Sequence, residues 1–544
     1  MEDQTRKTGK ISSGKHLSFW TDSDAPLTYR PLQQNKEADV VIVGGGIAGV
    51  SIAYRLSAMG KKVILLEDGY IGSGETGRTT AHLANALDDR FYHLESVFGE
   101  EGSRLAAESH GSAIDFIERV SAIEGINCNF RRVDGYLFLH PSDKAEHMDE
   151  EFEAARRAGL DVEKMEAGPG LKVAPCLCFH GQACFHPMKY LKGLCEAAIR
   201  YGAEVYTETH VSEINGEEVV TDTGLHVKAP YIVVATNAPV SSKYVLPMKQ
   251  SPYRSYVIAA LSEKGRLPDL LWWDTGDFNA DPDNPPYHYV RTEPYSETQD
   301  LLIVGGEDHP TGLADAEDIP EEERYEKLLN WAREHFHVGE VLYRWSGQVM
   351  EPVDSLGYIG RSPGSTPGNV LLVSGDSGHG MTHGTIAGML IPDIIAGRSN
   401  HWEKLYSPSR FRFSRGAAWI KSMAGSFMDY LSHKPGRREK EGLDISELRE
   451  GEGRIMRIDG DDFGVYRDDH NRLHFVSADC THMGCTIKWN NDEKTWDCPC
   501  HGSRFSYTGE VLNGPANEPL DYYRQNPITD KIQSRSGKTL GHEK

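Results

Sequence analysis

The chain opens on a polar stretch, residues 1–37, in which no apolar period persists, and it reads as an extended arm. The pattern changes at Ala38. ADVVIVG is a continuous apolar run of strand length, and Ile47 to Met59 repeats its apolar positions at helical spacing. KKVILLE is a second buried strand that ends at Glu67. Helical patterns then alternate with short apolar runs to about residue 400. Examples are a helix over Tyr190–Tyr201 and strands at Tyr231–Ala235 and Val370–Ser374. Such alternation predicts an α/β arrangement. Residues 417–431 place Trp419, Ile420, Met423, Phe427 and Leu431 at helical spacing. That pattern predicts a helix packed on a neighbouring unit or, with Arg415 and Lys421 beside it, one lying weakly on a membrane surface. HKPGRREKEG follows as a linker. From Leu448 the segments RIMRI, FGVYR and LHFVSAD are short strands between turn signals, which predicts a small all-β unit. These shifts divide the chain into an arm at 1–37, an α/β unit at 38–410, a helix and linker at 411–447 and a β unit at 448–544.

Composition narrows the classes. Charged residues are 26% and hydrophobic residues 39%, the balance of a globular protein rather than a disordered one. Lys+Arg total 58 against Asp+Glu 81, a formal charge of −23, so the basic footprint of a nucleic-acid binder is missing. The longest apolar candidate, Gly384 to Gly397, is broken by Pro392 and Asp393 and is too short for a membrane span. The N-terminus has no apolar core of a secretory signal, so the expected location is cytoplasmic. Nine cysteines are too few for a disulfide scaffold, yet four fall between Cys480 and Cys500.

Two constellations carry chemistry. The first is Gly44-Gly45-Gly46-Ile47-Ala48-Gly49, a G-x-G-x-x-G placed between a strand and a helix. Gly44 permits the tight turn, Gly46 lets backbone approach a pyrophosphate at the helix N-terminus, and Gly49 lets helix and strand pack closely. Glu67, at the end of the next strand, is placed to accept from a ribose 2′-OH and would repel a 2′-phosphate.

The second is Cys480-Thr481-His482-Met483-Gly484-Cys485 followed by Cys498-Pro499-Cys500-His501-Gly502-Ser503. Two Cys and two His suit a Rieske [2Fe–2S] centre, with Cys480 and Cys498 on one iron and His482 and His501 on the other. Histidine ligation lowers the negative charge of the cluster and so raises its potential. A Cys2His2 zinc site is the rival. Structural zinc favours paired C-x2–4-C and H-x3–5-H elements, which these mixed hairpins do not supply.

Residues 38–400 resemble the D-amino-acid oxidase/glycine oxidase-like FAD oxidoreductases. The resemblance rests on DVVIVGGGIAGVSIAYRL, IGSGETGRTTAHL, YIVVATNAP and SGDSGHGMTHGTIAG. It implies FAD, an FAD-binding domain of the glutathione-reductase type and an interleaved antiparallel substrate domain. It also implies roles for particular residues. The segment with Gly74 and Thr79 would pass the pyrophosphate and flavin, Val211 would meet adenine through its backbone, and Ala235-Thr236 would approach the nucleotide. The loop Gly375–Thr382, with Gly378, Gly380 and Met381, would close over the flavin, and His82 would lie near it. One departure matters. Where amino-acid oxidases of the family carry a carboxylate-binding arginine after W-x-G, this chain has Val349, with Glu351 close by. Arg254, Arg291 and Arg344 are the candidates to replace it.

Residues 448–528 resemble the cytochrome bc-type Rieske proteins, on CTHMGC…CPCHGS and the later Gly514-Pro515-Ala516. That resemblance implies a disulfide between Cys485 and Cys500 and a hydrogen bond from Ser503 to a cluster sulfide. The family tyrosine two positions on is Phe505 here, which implies a lower potential than in respiratory relatives. Asp376, His379 and His383 also spell D-x2-H-x3-H, close to a mononuclear iron motif, although they fall in the flavin-closing loop. The expectation is a flavoenzyme that oxidises an amine or amino-acid-like reductant by hydride transfer and passes single electrons to the cluster and on to a soluble carrier, a quinone or O2. The alternatives are an O2-using oxidase with the Rieske unit as sensor or scaffold, a reductase fed through the cluster, and a Rieske oxygenase.

Overall fold

The computed structural model describes residues 13–170, 175–238, 249–281, 285–311, 319–363, 368–411, 445–458 and 460–523. The helix expected at 417–431 and the linker after it lie outside these residues.

The first layer is a six-stranded sheet. Its order is Tyr358–Arg361, Val370–Ser374, Tyr231–Asn237, Val40–Val43, Val63–Leu66 and Glu204–Tyr206. All neighbours are parallel except Tyr358–Arg361 against Val370–Ser374. The strands Val40–Val43 and Val63–Leu66 are buried on both faces, which is why they read as unbroken apolar runs. Helices Ile47–Ala58 and Gly380–Ile395 pack together where a Cβ on Gly384 or Gly388 would strike Ile47 or Ser51.

The second layer is a nine-stranded, mostly antiparallel sheet. Its long strands Gln250–Glu263, Gln299–Pro310 and Val341–Pro352 lie side by side, with Gln250–Glu263 in the middle. The chain passes between the two layers several times, so they form one interleaved unit.

The C-terminal unit holds two four-stranded antiparallel sheets, one running from Gly453–Ile458 to Tyr522–Tyr523 and the other from Lys488–Asn490 to Val511–Asn513. Its core contains Trp496, Phe505, Cys480 and Cys498.

The N-terminal segment departs from an extended arm. Residues Phe19–Asp22 form a helical turn, Trp20 is fully buried, and its indole N–H donates to Thr79 O at 2.6 Å. Before that turn the chain runs between the two units. Lys15 N donates to Glu493 O, His16 N donates to Glu493 Oε2, and Ser13 Oγ donates to Asn513 Oδ1. Leu17, Phe19 and Trp20 are too few to set a period and the strap before them is polar, so only tertiary packing reveals this segment.

Among the described residues no helix is long and apolar enough to cross a membrane.

Candidate functional site

A cavity of about 1160 Å³ opens at the carboxyl ends of Val40–Val43 and Val63–Leu66, the place where open α/β sheets hold ligands. Gly44 has φ +107°, and a Cβ there would lie 2.5 Å from Ala235 O. A Cβ on Gly49 would lie 1.9 Å from Gly44 O, so this glycine serves the packing of helix on turn and stays off the cavity wall. Gly46 stands at the cavity with space that only Thr76 Oγ1 approaches. The wall continues through Ile47, Ala48, Gly74, Thr79, Val211, Ala235 and Thr236. Glu67 also faces it, but its carboxylate is engaged: Oε2 accepts Gly45 N–H at 2.6 Å, and Oε1 accepts Gly69 N–H and the Ser73 hydroxyl. Burial raises its pKa, against these bonds.

The later glycine loop divides. Gly378, Gly380 and Met381 reach the cavity, at the N-terminus of helix Gly380–Ile395. Gly375 instead packs on Pro352, Gln250 and Tyr358, and Thr382 turns inward to His110 Nδ1 at 2.7 Å. His82 lines the wall as a neutral ring, held down to a pKa of about 3 by burial and then by Arg291. Asp376, His379 and His383 do not converge. Asp376 accepts Met350 N–H, His379 Nε2 accepts Asp88 N–H, and His383 Nε2 has no partner. Among the described residues they form no three-donor group, which removes the geometric support for an iron site there.

The three candidate arginines are not on the wall. Arg291 is fully buried, paired with Glu293 and donating to Ala81 O and Phe185 O. Arg344 is paired with Glu322 at the surface. Arg254 is buried toward the C-terminal unit, where it donates to Gln348 Oε1 and lies 3.9 Å from Asp497. Each has its own carboxylate or acceptor, so none is left for a substrate carboxylate.

The sequence reading also missed residues that do face the cavity: Tyr253, Ser255, Tyr289 and Asp308 from the large sheet, and Tyr287 and Asp88 from the segments beside it. Ser255 Oγ and Tyr289 Oη lie 2.5 Å apart, and Tyr287 donates to Asp88. No motif marks them, because they meet only through strand pairing.

In the C-terminal unit Cys480, His482, Cys498 and His501 come together on two neighbouring loops. Cys480 N donates to Cys485 O, and Cys498 N to Ser503 O, so each loop is closed on itself. Cys485 and Cys500 are joined by the disulfide that ties one loop to the other. The two imidazoles stand edge to face at 4.9 Å. His482 Nδ1 and His501 Nδ1 are shut off from solvent and have no hydrogen-bond partner. Burial lowers both pKa values, that of His501 to about 4, so the rings are neutral as ligands must be. The Cys480 thiol is also lowered, first by a hydrogen bond with Cys498 and, against its burial, by the His482 backbone N–H and then Ser503. Two orphaned nitrogens and two adjoining thiols are the donor set of a Rieske centre. Ser503 is buried within reach of Cys480, while Phe505 offers no donor.

The units meet across buried charge. Arg78 donates to Glu493 and to Ser346 O at 2.7 Å each, and Arg504 grips Asp497 through two nitrogens. Glu493 is held well below the usual carboxylate range, against its burial, chiefly by Arg78 and then Arg504. Residues 506–508 and 510–514 of the C-terminal unit, with Ala516 and Asn517, line the same cavity as Gly44 and Gly46. Gln348 joins the two sites: it faces the cavity and donates through Nε2 to Gly502 O at 3.1 Å, one residue from His501.

The description "FAD dependent oxidoreductase" (DAO) fits residues 39–394, and "Rieske [2Fe-2S] domain" fits residues 442–524, by the match of each family's model. The chain belongs to the DAO family of FAD-dependent oxidoreductases. It is one that also carries a Rieske domain, and its cofactors are FAD and a [2Fe–2S] cluster. Among relatives of this DAO protein, the Rieske 2Fe-2S iron-sulfur protein YhfW of Bacillus subtilis (strain 168) is 32% identical over 513 residues, 92% of this chain and 96% of that one. Gamma-glutamylputrescine oxidoreductase of Escherichia coli (strain K12) is 26% identical, covering 76% and 95%. Glycine oxidase from Geobacillus kaustophilus shares the fold at TM-score 0.55 and 19% identity, over 69% of this chain and all of that one.

Proposed function

We propose that this DAO-family protein oxidises the carbon–nitrogen bond of an amine or amino-acid-like donor at FAD and passes the electrons singly to the Rieske cluster. The units that do so would be residues 38–410 and 448–544, joined by 411–447. The chemistry FAD supplies when bound is acceptance of a hydride and release of electrons one at a time. The observation that carries the reading is the shared wall, in which one side chain, Gln348, faces the cavity and grips the backbone beside His501.

On this reading the chain's own residues do the following. Gly44, Gly46 and the N–H groups that open helix Ile47–Ala58 receive the pyrophosphate, and Val211, Ala235 and Thr236 flank the nucleotide. The N-terminus of Gly380–Ile395 presents its positive end to the electron-rich edge of the flavin. The large sheet, with Tyr253, Ser255 and Tyr289, supplies the substrate face. Cys480, His482, Cys498 and His501 hold the cluster, and Ser503 donates toward it. His482, half-buried beside the exposed Met483, marks the exit to an external acceptor. The relative named gamma-glutamylputrescine oxidoreductase supports an amine donor.

Anaerobic titration with a panel of amines and amino acids tests this, followed by flavin absorbance and cluster EPR. Flavin bleaching should be accompanied by a reduced-cluster signal. A bleached flavin beside a cluster that stays oxidised would overturn the relay.

A further inference from the structure

We infer that the organic ligand of the cavity is a cationic amine with no carboxylate beside its reacting carbon, and that Asp308 is the side chain that anchors it. This rests on the amine-oxidation reading above and narrows it to a substrate class.

Asp308 stands on the long strand Gln299–Pro310 and faces the cavity. One of its oxygens bonds Ser255, whose own hydroxyl is tied to Tyr289. The other, Oδ1, is shut off from solvent and has no hydrogen-bond partner. A buried carboxylate oxygen without a donor is costly, and an N–H from a ligand in the cavity is one way to satisfy it. The groups that face Asp308 do not meet that need. They are Ser255, Tyr287, Tyr289, Asp88, His288 and Glu307: the two acids repel it, Tyr287 is spent on Asp88 and Tyr289 on Ser255, and His288 turns Nδ1 to Asp274 and Nε2 toward Glu307, so none of them bonds Oδ1. Burial, followed by Asp88, raises Asp308 to a pKa of about 7, a penalty that an incoming ammonium would relieve.

The rest of the wall argues in the same direction. Asp88, beside Asp308, and Glu351, farther along the wall, face the cavity and would oppose a substrate carboxylate. The cations among the described lining residues are Arg78 and Arg90. Arg78 is committed to Glu493, and Arg90 donates to Asp274 O. Where a carboxylate-binding arginine was sought, Val349 lines the wall instead. Tyr253, Tyr287 and Tyr289 supply the aromatic faces on which cationic chains settle.

A matched pair of probes isolates the claim. Ornithine is 1,4-diaminobutane with a carboxylate on one amine-bearing carbon. Both are titrated anaerobically into oxidised holoenzyme, with binding read by calorimetry and by the flavin difference spectrum. The diamine should bind at least about tenfold more tightly than ornithine. Asp308→Asn should weaken the diamine about tenfold or more, the worth of a charge-assisted hydrogen bond, and Asp308→Glu should recover part of it. Ornithine binding as well as the diamine overturns the inference. So does an unchanged diamine affinity in an Asp308→Asn protein that keeps its flavin spectrum. If that variant does not load FAD, the two probes on the unaltered holoenzyme still decide the question. Flavin reduction is scored separately. Reduction by amino acids with no diamine binding leaves amine oxidation standing and the inference refuted. Asp308-dependent diamine binding with no reduction by any amine does the reverse.

Discussion

The proposed FAD cradle and cluster site would hold their groups by opposite means. The cradle is built from backbone. Its glycines and N–H groups come from the turn at 44–49, the segment at 74–79, the strand end at 235–236 and the loop at 378–381, and only the closed fold assembles them. The cluster site is built from side chains. Its four proposed ligands lie between Cys480 and His501 on two loops tied by one disulfide. A large ligand is therefore gripped weakly at many distant points, and a small one strongly at four near ones. The first site should fail gradually and globally, the second abruptly and alone.

The largest effect should come from the local site. Cys498→Ser should abolish the cluster signal in EPR and visible absorbance while FAD content stays near one per chain. Loss of FAD in the same variant would show that the two sites are not separable. Next, Gly44→Ala places a Cβ 2.5 Å from Ala235 O at a positive φ, so FAD occupancy should fall at least about tenfold with the cluster retained. Flavin and iron quantified on one sample check both statements.

Between the sites lies the charged seam. Glu493→Ala leaves Arg78 buried without its partner and should cost about 3–5 kcal/mol in thermal or urea unfolding. The same pair sets an acid limit. The folded-state pKa of Glu493 is depressed, so its stabilisation is full above the unfolded value of ~4.3 and is withdrawn as pH falls below it. Glu493→Gln should flatten that part of the stability curve, and an unchanged slope would assign the acid loss to other carboxylates. The smallest effect is a tuning one. Phe505→Tyr offers the missing donor near the cluster. One hydrogen bond worth ~1 kcal/mol should raise the potential by about 40 mV for a single electron in a redox titration.

What was legible in the sequence follows the same division. The proposed ligands Cys480, His482, Cys498 and His501 stand out in the sequence because ligand spacing on a hairpin is a local property. The Gly44–Gly49 turn does so because a strand, a turn and a helix are adjacent in the chain. The substrate face was not legible. Ser255, Tyr289 and Asp308 stand on three strands and become neighbours only when those strands pair. Arg254, Arg291 and Arg344 were candidates because an arginine looks available until its partner is known. Arg291 has Glu293 two residues away on the same strand face, and Arg344 has Glu322 on a packed helix. Trp20 was passed over because its burial depends on Thr79 and His186, far along the chain.

The strap at residues 13–16 has a consequence for how the molecule is made. Ser13 bonds Asn513, and the backbone of Lys15 bonds Glu493, across separations close to the whole chain. During synthesis the strap emerges well before its partners, which lie about 480–500 residues later. At roughly 5–20 residues per second, that interval is on the order of half a minute to two minutes. Through that interval the seam between the units cannot close, and the cavity wall supplied by residues 506–517 is missing. The nascent FAD unit is thus open on one side until residues 506–517 emerge, an interval in which its cofactor has a wider path of entry than the finished fold leaves.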